Sequence, residues 1–234
     1  MDKQNYLIQQ FNNYGITING DQADKLVKFY DLVFQTNEVM NLTAITEWEE
    51  FVTKHYIDSC ITYKLFNVGS TVVDVGAGAG FPSIPLKIVR PDLNITMIDS
   101  LQKRVNFLNV AINELGLQNI KAEHHRAEEY VIVSRETFDY AIARAVAQMN
   151  TLSEYCLPLV KVGGKFVAYK ANVDTELADS QYAIQILGGK VDGVDKYEIG
   201  GDSRSIVVVQ KVAKTPAKYP RGQNKPRTMP LMSK

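Results

Sequence analysis

The run Thr71-Val72-Val73-Asp74-Val75-Gly76-Ala77-Gly78-Ala79-Gly80-Phe81-Pro82 holds the residues best suited to cradle a ligand. A β-branched stretch ends in an acid and opens into three alternate glycines. Lacking a Cβ, these tolerate positive φ and let a ligand approach the backbone closely. The residues before the glycines read as a buried parallel strand, and Ile84 to Val89 read as a helix. Strand, glycine turn and helix start together can hold a nucleotide-like cofactor. After Gly76-x-Gly78 a dinucleotide fingerprint needs its third glycine at position 81, where Phe81 stands. A ligand without a pyrophosphate is therefore favoured.

Three further positions can complete such a site. Asp99 ends the next strand, 19 residues beyond Gly80, where an acid can accept hydrogen bonds from a ribose diol. Its competing role is to cap the helix that begins at Leu101. Ala127 and Glu128 follow a third strand, where backbone groups and a carboxylate can read a base; taken alone, a polar helix start is the better account of them. Arg144 ends a fourth strand among small apolar residues, a costly place for a guanidinium unless it faces a site or pairs with an acid. His55 and Asp58 lie one helical turn apart and read either as the border of a cleft or as a polar packing pair. His124 and His125 suggest no role.

The elements that must position these residues fall into two textures. Residues 1–66 look helical throughout, with apolar positions at helical spacing around Leu7, Phe11, Leu26, Val33 and Phe34. There Thr46-Glu47-Trp48-Glu49 resembles a capping box opening a helix through Leu65. Residues 67–212 alternate strands (71–75, 94–99, 119–123, 138–143, 164–170) with helices (83–89, 101–116, 127–132, 147–160). A helix at 174–187 and two strands near 190–198 and 205–211 follow. Such alternation predicts a mostly parallel sheet covered on both faces. The last two strands, joined by Gly200-Gly201-Asp202, predict an antiparallel hairpin at its edge.

Residues 213–234 form a basic tail. From Lys211 onward there are seven Lys and Arg and no acid, although the chain as a whole has a formal charge of zero. That asymmetry fits either a polyanion-binding segment or a solvated end. The two cysteines, Cys60 and Cys156, are far apart and show no metal-ligand spacing, so reduced thiols in a cytoplasmic protein and no bound metal are expected. No apolar stretch reaches membrane-spanning length, and no membrane contact is expected.

The glycine turn, with its trailing Phe81-Pro82, resembles the S-adenosylmethionine turn of class I methyltransferases. Further stretches narrow the likeness: Asn41-Leu42-Thr43-Ala44-Ile45, His55-Tyr56-Ile57-Asp58-Ser59 and Arg126-Ala127-Glu128-Glu129. So do Ala143-Arg144-Ala145-Val146-Ala147, Ser205-Ile206-Val207-Val208-Val209 and Lys218-Tyr219-Pro220-Arg221. In this order they resemble the bacterial small-subunit ribosomal RNA guanine-N7 methyltransferases, also called glucose-inhibited division protein B. The resemblance implies a Rossmann-like seven-stranded α/β sheet with an N-terminal helical extension. It implies S-adenosylmethionine as methyl donor, with Gly76, Gly78, Phe81 and Asp99 at the cofactor, Ala127 and Glu128 at its adenine, and Arg144 beside cofactor and substrate as the catalytic residue. It also implies 16S ribosomal RNA, or a 30S particle, as partner of a protein expected to be a monomer. At Gly222-Gln223-Asn224-Lys225-Pro226 the chain departs from the family's Gly-Thr-Pro, which leaves the tail's RNA contacts open.

Guanine N7 carries an in-plane lone pair and no proton, so methyl transfer needs no general base and rests on orientation, which can supply roughly 7–11 kcal/mol. The chain lacks the Asn/Asp-Pro-Pro-aromatic run of amino-group methylases after its fourth strand. It also lacks a Pro-Cys nucleophile, since the order here is Cys156-Leu157-Pro158. Two other function classes remain at this point: an RNA-binding assembly factor with a non-catalytic pocket, and a nucleotide-dependent oxidoreductase.

Overall fold

The computed structural model describes residues 2–232. Helices α1 (Lys3–Asn13), α2 (Gly20–Met40), α3 (Trp48–Phe51) and α4 (Asp58–Cys60) come first, with a π-helical turn, Val52–Ile57, joining the last two. The strands are β1 (Thr71–Val75), β2 (Asn94–Asp99), β3 (Ile120–His124), β4 (Phe138–Arg144), β5 (Val160–Lys170), β6 (Gly189–Ile199) and β7 (Asp202–Lys211). Between and after them lie α5 (Ser83–Val89), α6 (Gln102–Glu114), α7 (Ala127–Ser134), α8 (Met149–Cys156), α9 (Asp174–Ile186) and α10 (Lys225–Thr228).

The sheet order is β3-β2-β1-β4-β5-β7-β6. The first five strands run parallel, and β7 pairs antiparallel with both β5 and β6. Consecutive residues alternate between two apolar layers, as the period of a strand requires. Val72, Ile95, Met97, Ile142 and Val208 pack with α1, α2, α5 and α6. Val73, Ile98, Ala141, Ala143, Val207 and Val209 pack with α7, α8 and α9. Burial on both faces explains why β1 and β7 read as unbroken β-branched runs. The N-terminal helices share one apolar cluster with the sheet through Leu26, Phe29, Tyr56 and Ile84.

The mostly parallel sheet and its closing hairpin match the sequence reading, and β1, β2 and α5 fall on the expected residues. The single helix expected from Thr46 to Leu65 does not form. Its segment is instead a short α-helix, a π-helical turn and a further short helix. Nor does the capping box at Thr46 form: Glu47 is the N-cap, without a side-chain bond, and the Thr46 carbonyl accepts from Tyr30 Oη at 2.8 Å. A capping box does close α2, where Asn19 and Gln22 exchange backbone and side-chain bonds.

The order reverses between β1 and β4, so the carboxyl ends of these two strands open a crevice. The glycine turn leaves from one and Arg144 ends the other.

Candidate active site

The turn after β1 is shaped by contacts that only glycine permits. Gly76 has φ +77°, and a Cβ there would lie 2.8 Å from Val146 Cγ2; at Gly80, φ +95°, it would meet Ile84 Cδ1 at 2.7 Å. The Gly76 N–H donates to the Ile98 carbonyl at 2.8 Å, tying the turn to the end of β2. At Gly78 the only neighbour of an added Cβ is the Gly76 carbonyl at 3.9 Å, so the backbone here has open space beside it.

Asp99 sits where both of its expected roles meet. Oδ2 accepts from Gly78 N–H at 3.0 Å and Oδ1 from Leu101 N–H at 2.9 Å, so one carboxylate joins the turn to the start of α6. Beside it opens a cavity of about 120 Å³, walled by Gly76, Asp99, Ala127 and Glu128 together with Val146 and Tyr155. Four of the expected residues thus share one space or its edge. His125, Asn224 and Arg227 line it as well. None of these three was picked out by motif; His125 had only its adjacency to Arg126-Ala127-Glu128 to signal it.

Asp74 lies beneath the turn with no solvent exposure. Its Oδ2 accepts from Ser83 Oγ at 2.7 Å, whereas Oδ1 has no hydrogen-bond partner among the described residues. Burial pushes this carboxyl up to about 7, against the Ser83 bond and Arg144, which favour ionisation. Asp99 and Glu128 bring carboxylate oxygens to the cavity beside a Cβ-free backbone. That is the chemistry a cationic ligand with sugar hydroxyls requires, and these residues fit S-adenosylmethionine.

Arg144 and Phe81 are elsewhere. They lie against each other, with the guanidinium carbon 5.2 Å from the ring centroid, and Arg144 lines a second cavity of about 470 Å³. Phe81 is buried among Phe29, Phe51 and His55 and does not line the cavity beside Asp99. Arg144 is clamped by the N-terminal helical segment. Nη1 donates to Asp58 Oδ2 at 2.7 Å and to the Lys54 carbonyl at 3.2 Å, and Nη2 donates to His55 Nδ1 at 2.9 Å. Lys54 and His55 lie in the π-helical turn, a distortion common at functional sites.

These bonds fix the state of His55. Arginine only donates, so Nδ1 must be the acceptor, and Nε2 carries the proton toward Thr43 Oγ1, 2.7 Å away. Burial and the Arg144 charge lower the imidazole to about 3, keeping it neutral. Asp58 is equally engaged, since Tyr197 Oη donates to its Oδ1 at 2.8 Å. Arg144 keeps Nε–H and one Nη2–H without a partner among the described residues, the edge that forks onto a planar acceptor.

The linings of the two cavities adjoin in sequence at the end of β4. Arg144 and Ala145 line the larger and Val146 the smaller, and Ala145 between them holds φ +57°, a left-handed conformation rare for alanine. Such outliers concentrate at functional sites.

The basic tail is not a free polycation. Lys211 is fully buried, bonded to Thr215 Oγ1 at 2.7 Å and paired with Glu136 at 3.1 Å. Arg221 clasps the buried Glu154 through Nε at 2.9 Å and Nη2 at 2.7 Å. Lys214, Lys218, Lys225 and Arg227 remain exposed.

Comparison with known proteins gives the family and the fold. The family model for rRNA small subunit methyltransferase G matches residues 22–207. A ribosomal RNA small subunit methyltransferase G from Lachnoclostridium phytofermentans is 45% identical, covering 97% of this chain and 97% of that protein. One from Clostridium perfringens is 46% identical over 94% of this chain and 95% of that protein. Among solved structures, the precorrin-6y C5,15-methyltransferase of Geobacter metallireducens superposes with TM-score 0.54 at 16% identity, over 74% of this chain and 92% of that one. The M. jannaschii TYW2 structure in complex with AdoMet superposes with TM-score 0.55 at 14% identity, over 66% of this chain and 75% of that one. These two likenesses are of fold.

Proposed function

The chain belongs to the rRNA small subunit methyltransferase G family, and from that premise we propose that it transfers a methyl group from S-adenosylmethionine to N7 of a guanine in 16S ribosomal RNA. The observation that carries the choice of N7 is the saturation of the groups around Arg144. His55 has one nitrogen accepting and the other donating, and each Asp58 oxygen already takes a donor. Among the described residues, no titratable group hydrogen-bonded to Arg144 is left without a partner of its own. A nucleophile that carries no proton suits such a site, and guanine N7 is one.

When bound, S-adenosylmethionine supplies an electrophilic methyl on a sulfonium. The protein's part is placement. Asp99, the Gly76–Gly78 backbone, Ala127 and Glu128 hold the adenosine end in the smaller cavity. Arg144 lines the larger cavity, and its free Nε–H and Nη2–H edge suits guanine O6, orienting the base with N7 toward the junction at Ala145. Phe81 and His55 support the guanidinium from beneath. The exposed Lys218 and Lys225 attract the RNA backbone, a contribution that falls with added salt. We take a monomer as the acting unit. No helix among the described residues is long and apolar enough to cross a membrane, and an RNA substrate of this kind places the reaction in the bacterial cytoplasm.

The test is to incubate the protein with S-adenosylmethionine and unmodified 16S RNA or 30S particles, then map N7-methylguanine by borohydride and aniline cleavage. A single new cleavage site is expected; none in either substrate would overturn the proposal.

A further inference from the structure

The cavity beside Asp99 is completed by residues more than 120 positions further along the chain, since Asn224 and Arg227 stand in its wall together with Asp99, Glu128 and Tyr155. We propose that these two tail residues contact bound S-adenosylmethionine and form the outer wall of its adenosine pocket. This rests on reading the cavity as the cofactor site.

Several independent anchors hold the segment in place. Arg221 grips Glu154, whose carboxylate is fully buried, with three nitrogen contacts from side chain and backbone. Thr151 Oγ1 donates to the Pro226 carbonyl at 2.8 Å. Arg135 donates to the Tyr219 carbonyl, and Arg221 donates to that of Met229 at 2.8 Å. Glu154 and Thr151 belong to α8, the helix that also brings Tyr155 to the cavity. One helix therefore fixes both an inner wall and the segment facing it.

The chemistry of the two residues suits an adenosine. Asn224 has a side-chain amide with both donors and an acceptor. Arg227 has a planar guanidinium, a group that stacks on aromatic rings, and shares the cavity wall with Arg126, Glu128 and Tyr155. The size of the cavity points the same way. At about 120 Å³ it is compact, which keeps a group lodged in it close to Asn224 and Arg227.

Calorimetric titration of S-adenosylhomocysteine into the full chain and into Arg227→Ala, Asn224→Gly and Asp99→Ala tests this. Glycine suits position 224 because Asn224 holds φ +58°. Each tail variant should bind roughly five- to ten-fold more weakly, the effect of one lost contact, with the ligand-free melting temperature unchanged. Amide exchange across residues 219–229 should slow on adding ligand to the unaltered protein. Unchanged affinity in both tail variants and unchanged exchange, with binding lost in Asp99→Ala, would show the tail to be scaffolding only and overturn the proposal. Unchanged affinity in Asp99→Ala would instead overturn the cofactor reading of the cavity, and this proposal with it.

Discussion

The His55 imidazole lies flat on the Phe81 ring, with centroids 4.4 Å apart and planes 10° from parallel. The residue that replaces the third glycine of a dinucleotide turn is thus the floor on which the histidine rests, and that histidine in turn holds Arg144. Turn and arginine are coupled through one aromatic stack.

Arg144→Lys retains a positive charge but loses the fork that bonds Asp58, His55 and the Lys54 carbonyl together. Methyl transfer is expected to fall by about two orders of magnitude, as misplacement by an ångström does. The melting temperature should stay close to wild type. Arg144→Ala strands Asp58 in the interior and should also destabilise the fold, by about 3–5 kcal/mol. Methyl incorporation and thermal melts, run in parallel, separate the two.

His55 governs acid stability. Its folded value of about 3 lies below its ordinary 6.5. The unfolded chain therefore binds the extra proton between those values, and the contribution present above pH 6.5 is lost as pH falls toward 3. His55→Asn keeps an acceptor for Arg144 and cannot titrate. Urea midpoints should lose part of their rise with pH across this window.

Asp74 acts with the opposite sign. Its folded value of about 7 exceeds its ordinary 3.8, so the native state holds the proton and stability declines as pH climbs from about 4 through 7. At about 1.4 kcal/mol per pKa unit, the term amounts to a few kcal/mol. Above pH 6.5 the histidine no longer offsets it. Asp74→Asn should flatten the decline between pH 6.5 and 8 in denaturant titrations.

Ala145 tests the strained junction. A β-branched residue is a severe outlier at φ +57°, so Ala145→Val should cost about 1–3 kcal/mol and most of the methylation activity. Ala145→Gly should leave stability within about 1 kcal/mol of wild type.

Arg221→Ala removes the partner of a carboxylate without solvent exposure. A loss of about 3 kcal/mol is expected, and the loss should shrink in Arg221→Ala combined with Glu154→Gln. Equal losses in the single and double variants would exclude the ion pair as the cause.

What the sequence made legible was local or periodic. The β-branched run before Gly76 and the acid at position 99 follow from spacing, and so does the hairpin after Gly200. What stayed hidden depends on partners distant along the chain. His55 and Asp58 have a common purpose only once Arg144 arrives, 89 and 86 positions later. The tail's charges read as a free block because Glu136 and Glu154, which neutralise Lys211 and Arg221, are remote in sequence. The π-helical turn is only six residues long, too short to show its wider repeat, and its residues fit an ordinary helix. Phe81 was assigned to the cofactor by motif, and only packing shows its ring beside Arg144.

The smaller cavity has Gly76 on one side and Arg227 on the other. About 150 residues of synthesis separate them, roughly 8–30 s at 5–20 residues per second. A growing chain can fold its first strands and form the glycine turn well before the far wall exists. The pocket as described here first becomes whole when residue 227 has left the ribosome.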